Sequence, residues 1–215
     1  MTIDELRLKL DEISTISNAE WLASLDARKI AELEFHNKER NKDRPKQLSQ
    51  DEYERFYGNK KYYSTVARSS RFVENWIMKN SGGKIFLDYA CGNGQQAILA
   101  AKHGAALSIG LDISDESILN AKNDAAASNI PNVMFLQADA ENTRLPDSCV
   151  DVIICSGMLH HLDLTRAFPE LSRILKPGGT ILAVEALNCN PPRHPVAIAT
   201  LDASRRLRFG PSSLP

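Results

Sequence analysis

The stretch that most constrains how this chain can fold is Lys84–Ala97, KIFLDYACGNGQQA. A short apolar run ends in an acid, breaks into a glycine turn and continues as a helical pattern of small residues. Parallel-sheet proteins bring a first strand to a backbone-lined ligand site in this way. Glycine lets the chain approach a ligand without a Cβ, and the helix that follows offers unpaired N–H groups.

The rest of the chain from Lys84 agrees with that start. Strands are predicted at Lys84–Leu87, Ala106–Leu111, Val133–Leu136, Val150–Cys155 and Thr180–Glu185, with helices at Gln95–His103, Asp115–Ser128 and Thr165–Leu175. Such alternation implies right-handed crossovers and a parallel sheet covered on both faces. Leu175–Gly179, LKPGG, reads as a tight turn before the fifth strand. The expected fold is therefore α/β: a Rossmann-like, doubly wound, mainly parallel sheet with an N-terminal helical extension.

Residues 1–46 read as helix, with Leu6, Leu10, Ile13, Trp21, Leu25, Ile30 and Leu33 recurring among mixed charges. A second amphipathic stretch, Tyr53–Lys79, ends at Ser81-Gly82-Gly83. Its Phe72 and Trp76 suit a packing face. Tyr57, Tyr62 and Tyr63, beside Lys60 and Lys61, suit a lid, because tyrosine joins an apolar body to a polar tip. The tail holds five of the ten prolines and an arginine cluster at Arg205, Arg206 and Arg208. Val196–Leu207 suits one short helix, and no hairpin signal follows Glu185. The expected organisation is a helical cap over 1–80, a core over 81–189 and an irregular tail over 190–215.

Composition narrows the function classes. Among 215 residues, 26 basic side chains stand against 27 acidic ones, so no global field recruits nucleic acid. No apolar run is long enough for a membrane span, and acids interrupt the first apolar stretch, which argues against a secretory signal. The four cysteines, Cys91, Cys149, Cys155 and Cys189, have neither C-x-x-C spacing nor histidines at zinc-site intervals. Buried reduced thiols in a cytoplasmic protein are expected, and no metal site. His36, His103 and His194 are expected to have no specific role.

Two ligand classes fit the glycine loop. Gly92–Ala97 matches the dinucleotide pattern G-x-G-x-x-[GA], and Asp112 lies eighteen residues after Gly94. Against a pyrophosphate stand Asp88 at the end of the first strand, where a carboxylate suits a cationic amine, and Asp139 after the third. Each of these acids is also a residue type that caps helices in ordinary loops.

Five segments in order, LDYACGNG, GLDIS, LQADAENTRLPD, DVIICSGMLHHL and ILKPGGTILAVE, resemble the class I S-adenosylmethionine-dependent methyltransferases, in the small-molecule subgroup related to ubiquinone and menaquinone biosynthesis (methyltransferase type 11). The resemblance covers about residues 72–187. It implies S-adenosyl-L-methionine as cofactor and S-adenosyl-L-homocysteine as product. It also implies a small-molecule acceptor methylated at O, N or C.

Carried onto this chain, the resemblance places Asp88 and the backbone of Ala90–Gly94, with Gly92 and Gly94, at the methionine part. Asp112 would take the ribose hydroxyls and Ile113 would lie against adenine. Asp139 would accept from the adenine amino group, the Ala140 N–H would face a ring nitrogen, and Ser156 and Gly157 would line the methionine end. Ala90 stands where the family has its first loop glycine. His160 and His161 are the candidate bases, His160 nearer the expected methyl position. One departure is the C-terminus, where the family's last antiparallel strand pair is expected to be missing. An exposed fifth strand would invite a homodimer. A truncated chain, a divergent tail and completion by a partner are all open. So is a non-catalytic cofactor-binding or scaffold role.

Overall fold

The computed structural model describes residues 1–40, 60–186 and 196–202. Five parallel strands form its centre: β1 (Ile85–Tyr89), β2 (Leu107–Asp112), β3 (Val133–Gln137), β4 (Val150–Ser156) and β5 (Leu175–Ala186). A sixth, β6 (Val196–Asp202), runs antiparallel to β5, and the order across the sheet is β3-β2-β1-β4-β5-β6. The helices are α1 (Ile3–Ser14), α2 (Asn18–Ala23), α3 (Ala27–Arg40), α4 (Lys60–Ser81), α5 (Gln95–Lys102), α6 (Asp115–Ala127) and α7 (Leu164–Ile174). The doubly wound α/β expectation holds for this core.

Every residue of β1 and β2 is buried, as continuous apolar strands covered on both sides must be. Alternation along β1 sorts the two faces. Leu87 and Tyr89 join one cluster with Leu6 and Leu10 of α1 and Leu171 and Ile174 of α7. Phe86 joins the other with Ile77 of α4 and Ala100 of α5, against which Phe72 and Trp76 pack. Both rings thus serve the packing role their spacing suggested. Cys91, Cys149 and Cys155 are buried thiols outside any disulfide. Among the described residues no helix is long and apolar enough to cross a membrane.

Among the described residues the N-terminal segment is three helices rather than one run. Thr2 and Ser17 each form a capping box, with Glu5 and Glu20, and the second box restarts the chain after α1. The expected turn at LKPGG is instead a bulge inside β5. Val150 pairs with Leu175 and Val152 with Thr180, so the intervening residues swing out of register, with Gly178 at φ 78°. The largest departure lies at the C-terminal side. Val196–Asp202 is strand, not helix, and it pairs along Thr180–Ala186. Valine, isoleucine and threonine in VAIATLD explain the preference. β5 is therefore covered, and the expectation of an exposed fifth strand, with the homodimer argument built on it, is corrected. Tyr57 and Cys189 lie outside the described residues, as do the side chains of Tyr62 and Tyr63.

Because Leu10 has no exposed surface and sits in the sheet's own cluster, α1 is part of the core. Leu10→Ala should lower the unfolding free energy by about 2–5 kcal/mol in urea titration. Leu8→Ala, at a residue 64% exposed, should stay within about 0.5 kcal/mol. Equal effects from the two substitutions would show that α1 does not dock.

Candidate active site

The carboxyl ends of β1, β2, β3 and β4 open onto one cavity of about 160 Å³, where doubly wound sheets place their ligands. Of the residues singled out in the sequence, Ala90, Gly92, Asp112, Ile113, Asp139, Ala140, Ser156 and His161 line it. Asp88, Gly94 and His160 do not belong to that lining.

Asp112 organises the glycine loop. Its Oδ2 accepts from the Gly92 N–H at 2.8 Å and its Oδ1 from the Ser114 N–H at 2.9 Å. One carboxylate thus ties the β1–α5 loop to the β2–α6 turn. An ionised carboxylate has about four lone-pair sites, so two remain for a ligand. The Cys91 N–H donates to the Leu111 carbonyl at 2.8 Å and closes the same crossing from the backbone. Ala90 adopts φ 61°, a left-handed conformation that its methyl group makes costly.

Gly94 and Asp88 serve the loop from behind. At Gly94, φ is 74° and an added Cβ would come within 2.4 Å of the Phe135 ring, so packing and backbone conformation both demand glycine. Asp88 lies on the same strand face as Phe86, under α5, and its Oδ2 accepts from the Ala97 N–H at 3.1 Å. It is 1% exposed, and burial pushes its carboxyl up to about 7 against the pull of the Ala97 N–H.

The third strand end meets α3. Lys29 Nζ donates to Asp139 Oδ2 at 2.6 Å and lies 2.9 Å from Glu141 Oε2, with all three side chains buried. Burial opposes the Lys29 charge, but the hydrogen bonds to Asp139 and Glu141 outweigh it and hold the ammonium above its usual range. Burial likewise opposes charge on Glu141. The Asp163 N–H, with Lys29 and Arg28, holds that carboxyl below its usual range. Asp139 Oδ1 accepts from the Glu141 N–H at 2.9 Å, while the Tyr89 hydroxyl donates to the Ala140 carbonyl. Trp21, Leu25 and Leu33 form a small apolar cluster against which Ile113 packs, so α2 and α3 roof this end of the cavity.

After β4, Gly157 turns at φ 66° and Leu159–His161 make one turn of 3-10 helix. Glu185 Oε1 accepts from the Met158 and Leu159 N–H groups at 2.9 and 2.8 Å. Its Oε2 lies 2.9 Å from His160 Nδ1. His160 is thereby turned outward and is 55% exposed. His161 faces inward, with Nδ1 3.2 Å from Glu32 Oε2. The Arg28 Nη1 donates to the His161 carbonyl at 2.7 Å, and its Nη2 donates to Glu141 Oε1.

Sequence reasoning missed Arg28, Lys29, Glu32 and His36 in the lining, and Glu185 behind it. A signal existed. Arg28, Glu32 and His36 fall four residues apart and so share one face of α3, although the same stripe also suits a solvated surface.

Comparison with known proteins agrees with this geometry. Residues 87–183 match the family model described as "Methyltransferase domain". Over 101 residues the chain is 33% identical to 27-O-demethylrifamycin SV methyltransferase of Amycolatopsis mediterranei, covering 46% of this chain and 37% of that protein. It is 32% identical over 128 residues to the ubiquinone biosynthesis O-methyltransferase of Sodalis glossinidius, covering 58% and 51%. Among solved structures, the YcgJ protein of Bacillus subtilis aligns with TM-score 0.51 at 28% identity, covering 54% of this chain and 51% of that one. The [4+2]-cyclase SpnF aligns with TM-score 0.50 at 28% identity, covering 53% and 43%. The chain spans about half or less of these proteins.

The buried Asp88 yields a signed pH effect. Its raised folded value means that its contribution is fully present below about pH 4 and is lost as pH rises through about 7. Asp88→Asn should remove that loss. The variant's stability relative to the parent should climb between about pH 4 and about pH 7, by at most about 1.4 kcal/mol per pH unit, and level off above. Parallel stability curves for the two proteins would contradict this environment for Asp88.

Proposed function

We propose that this chain, whose residues 87–183 match the methyltransferase-domain model, is an S-adenosylmethionine-dependent enzyme that transfers a methyl group to oxygen, nitrogen or carbon of a small-molecule acceptor. The observation that carries the reading is the convergence of Ala90, Gly92, Asp112, Ile113, Asp139, Ala140 and Ser156 on one cavity at the sheet's carboxyl edge.

The donor set fits the cofactor. Two carboxylates at successive strand ends suit hydroxyl and amino donors, Ile113 offers an apolar wall beside them, and small residues leave room along the loop. S-adenosylmethionine supplies a methyl group already activated on a sulfonium, so the chain's task is alignment and exclusion of water. Asp112 uses its two remaining acceptor sites for the ribose hydroxyls. Ile113 packs on the adenine, and Asp139 with the Ala140 N–H reads its edge. Lys29 holds Asp139 Oδ2, and Glu141 at 2.9 Å can retain the ammonium if Asp139 turns to the base. Ala90, Gly92 and Ser156 line the methionine end. Asp88 acts from behind, by fixing the α5 N-terminus through Ala97.

The acceptor wall is α3 and the turn after β4. Of the two histidines, His161 is the one in contact with the cavity, and we assign the catalytic position at this turn to it. His160, bonded to Glu185, holds the turn in place. A second reading, cofactor binding without methyl transfer, is favoured by one observation: the structural neighbours include a protein named as a [4+2]-cyclase.

Calorimetric titration with S-adenosylhomocysteine, beside NAD and an Asp112→Ala control, tests the site. Micromolar binding, weakened at least about tenfold in the variant and absent for NAD, is expected, since a lost charge-assisted hydrogen bond costs about 1.5–3 kcal/mol. A folded chain that binds no S-adenosylhomocysteine would overturn the proposal. Turnover of methyl-labelled cofactor against a panel of hydroxyl, amine and activated-carbon acceptors separates the first reading from the second.

A further inference from the structure

The roof helix and the turn after β4 bring together three side chains that no step above uses as a set. Glu32 and His36 lie one turn apart on α3, and His161 faces them across the cavity wall. Glu32 Oε2 is 3.6 Å from His36 Nε2 and 3.2 Å from His161 Nδ1, and one ligand atom from each of the three residues lies within 4.8 Å of the other two. A tetrahedral ion bound at about 2.0–2.1 Å sets neighbouring ligand atoms about 3.3–3.4 Å apart. The two edges that meet at Glu32 bracket that spacing. Closing the third requires rotation of imidazoles whose side chains are 29% and 36% exposed, so neither is locked in the core.

The supporting frame is already built. Arg28, also on α3, donates to the His161 carbonyl at 2.7 Å and is itself held by Glu141. The third ligand's backbone is thus tied to the helix that carries the other two, the kind of outer support that orients metal ligands. The His36 and His161 rings meet edge to face at 5.7 Å between centroids, so they converge on Glu32 rather than stack.

We propose that Glu32, His36 and His161 form a divalent transition-metal site of the zinc class, with its open coordination position toward the cavity. Two imidazoles and one carboxylate suit zinc, cobalt or nickel and do not suit magnesium or calcium, which take oxygen ligands. Three protein ligands leave a fourth position free, as in sites where an ion holds a substrate oxygen. The acceptor class follows as a molecule with a hydroxyl, carbonyl or carboxylate oxygen near the methylated atom. This last step rests on the methyl-transfer reading, whereas ion binding does not.

The test uses the full chain. Metal-free protein is titrated with Zn²⁺ in competition with a chromogenic chelator, and separately with Co²⁺, followed by its visible absorption. One ion per chain at micromolar affinity or better is expected, with the intense cobalt bands of a four-coordinate site. His36→Ala and His161→Ala should each weaken Zn²⁺ binding at least about tenfold, and His103→Ala, at an exposed helix end, should leave it unchanged. Far-ultraviolet circular dichroism and urea unfolding of His36→Ala, which should match the parent, verify that the variant is folded. Absence of stoichiometric binding by the parent, or binding indifferent to both substitutions, overturns the site. Zinc binding without S-adenosylhomocysteine binding would keep the metal site and remove the methyl-transfer reading.

Discussion

Lys29 is the interaction on which the rest of the site depends. Its ammonium, buried between Asp139 and Glu141, joins α3 to the carboxyl end of β3. A buried cation costs several kcal/mol unless fully paired, so α3 has little freedom to sit elsewhere once Lys29 is in place. With α3 fixed, Arg28 reaches the turn after β4, and Glu32, His36 and His161 arrive on a common wall. The shape of this wall is therefore set by a charge network lying under it.

Asp112 and Asp88 play the matching part for the glycine loop. One links the loop to the next strand through the Gly92 and Ser114 N–H groups, and the other holds the start of α5 through Ala97. The loop thus owes its shape to two carboxylates of unequal kind. Asp112 lines the cavity with acceptor capacity to spare. Asp88 is sealed and held up near 7 by burial. Gly94 completes the arrangement by letting the Phe135 ring approach where no Cβ could stand.

Most of the sheet was legible in the sequence because its strands are buried on both faces. That requirement writes continuous apolar runs bounded by glycine and acids, and IFLDY and VDVIICS are such runs. The same logic explains why the acids at the ends of β2 and β3 could be placed. It also shows what was readable and passed over: period-two alternation puts Asp88 on the Phe86 face, under α5, rather than on the cavity. β6 was obscured because nearby prolines outweighed the β-branched residues of VAIATLD. The roof was legible as helix but not as a wall of the site. Arg28, Glu32 and His36 make a polar helical stripe, indistinguishable from a solvated face until the turn bearing His161 is folded against it. Nor does a dipeptide reveal which histidine faces inward. Glu185 decides that, from another strand, by holding His160 and the turn's N–H groups.

The central claim is that the strand ends and α3 enclose one S-adenosylmethionine site. Hydrogen exchange of the full chain, with and without saturating S-adenosylhomocysteine, tests it most directly. The account predicts slowed exchange confined to Ala90–Gly94, Asp112–Ser114, Asp139–Glu141 and the turn around His161, together with α3. Binding without protection at Asp112–Ser114 and Asp139–Glu141, or protection centred on another face of the sheet, would contradict it.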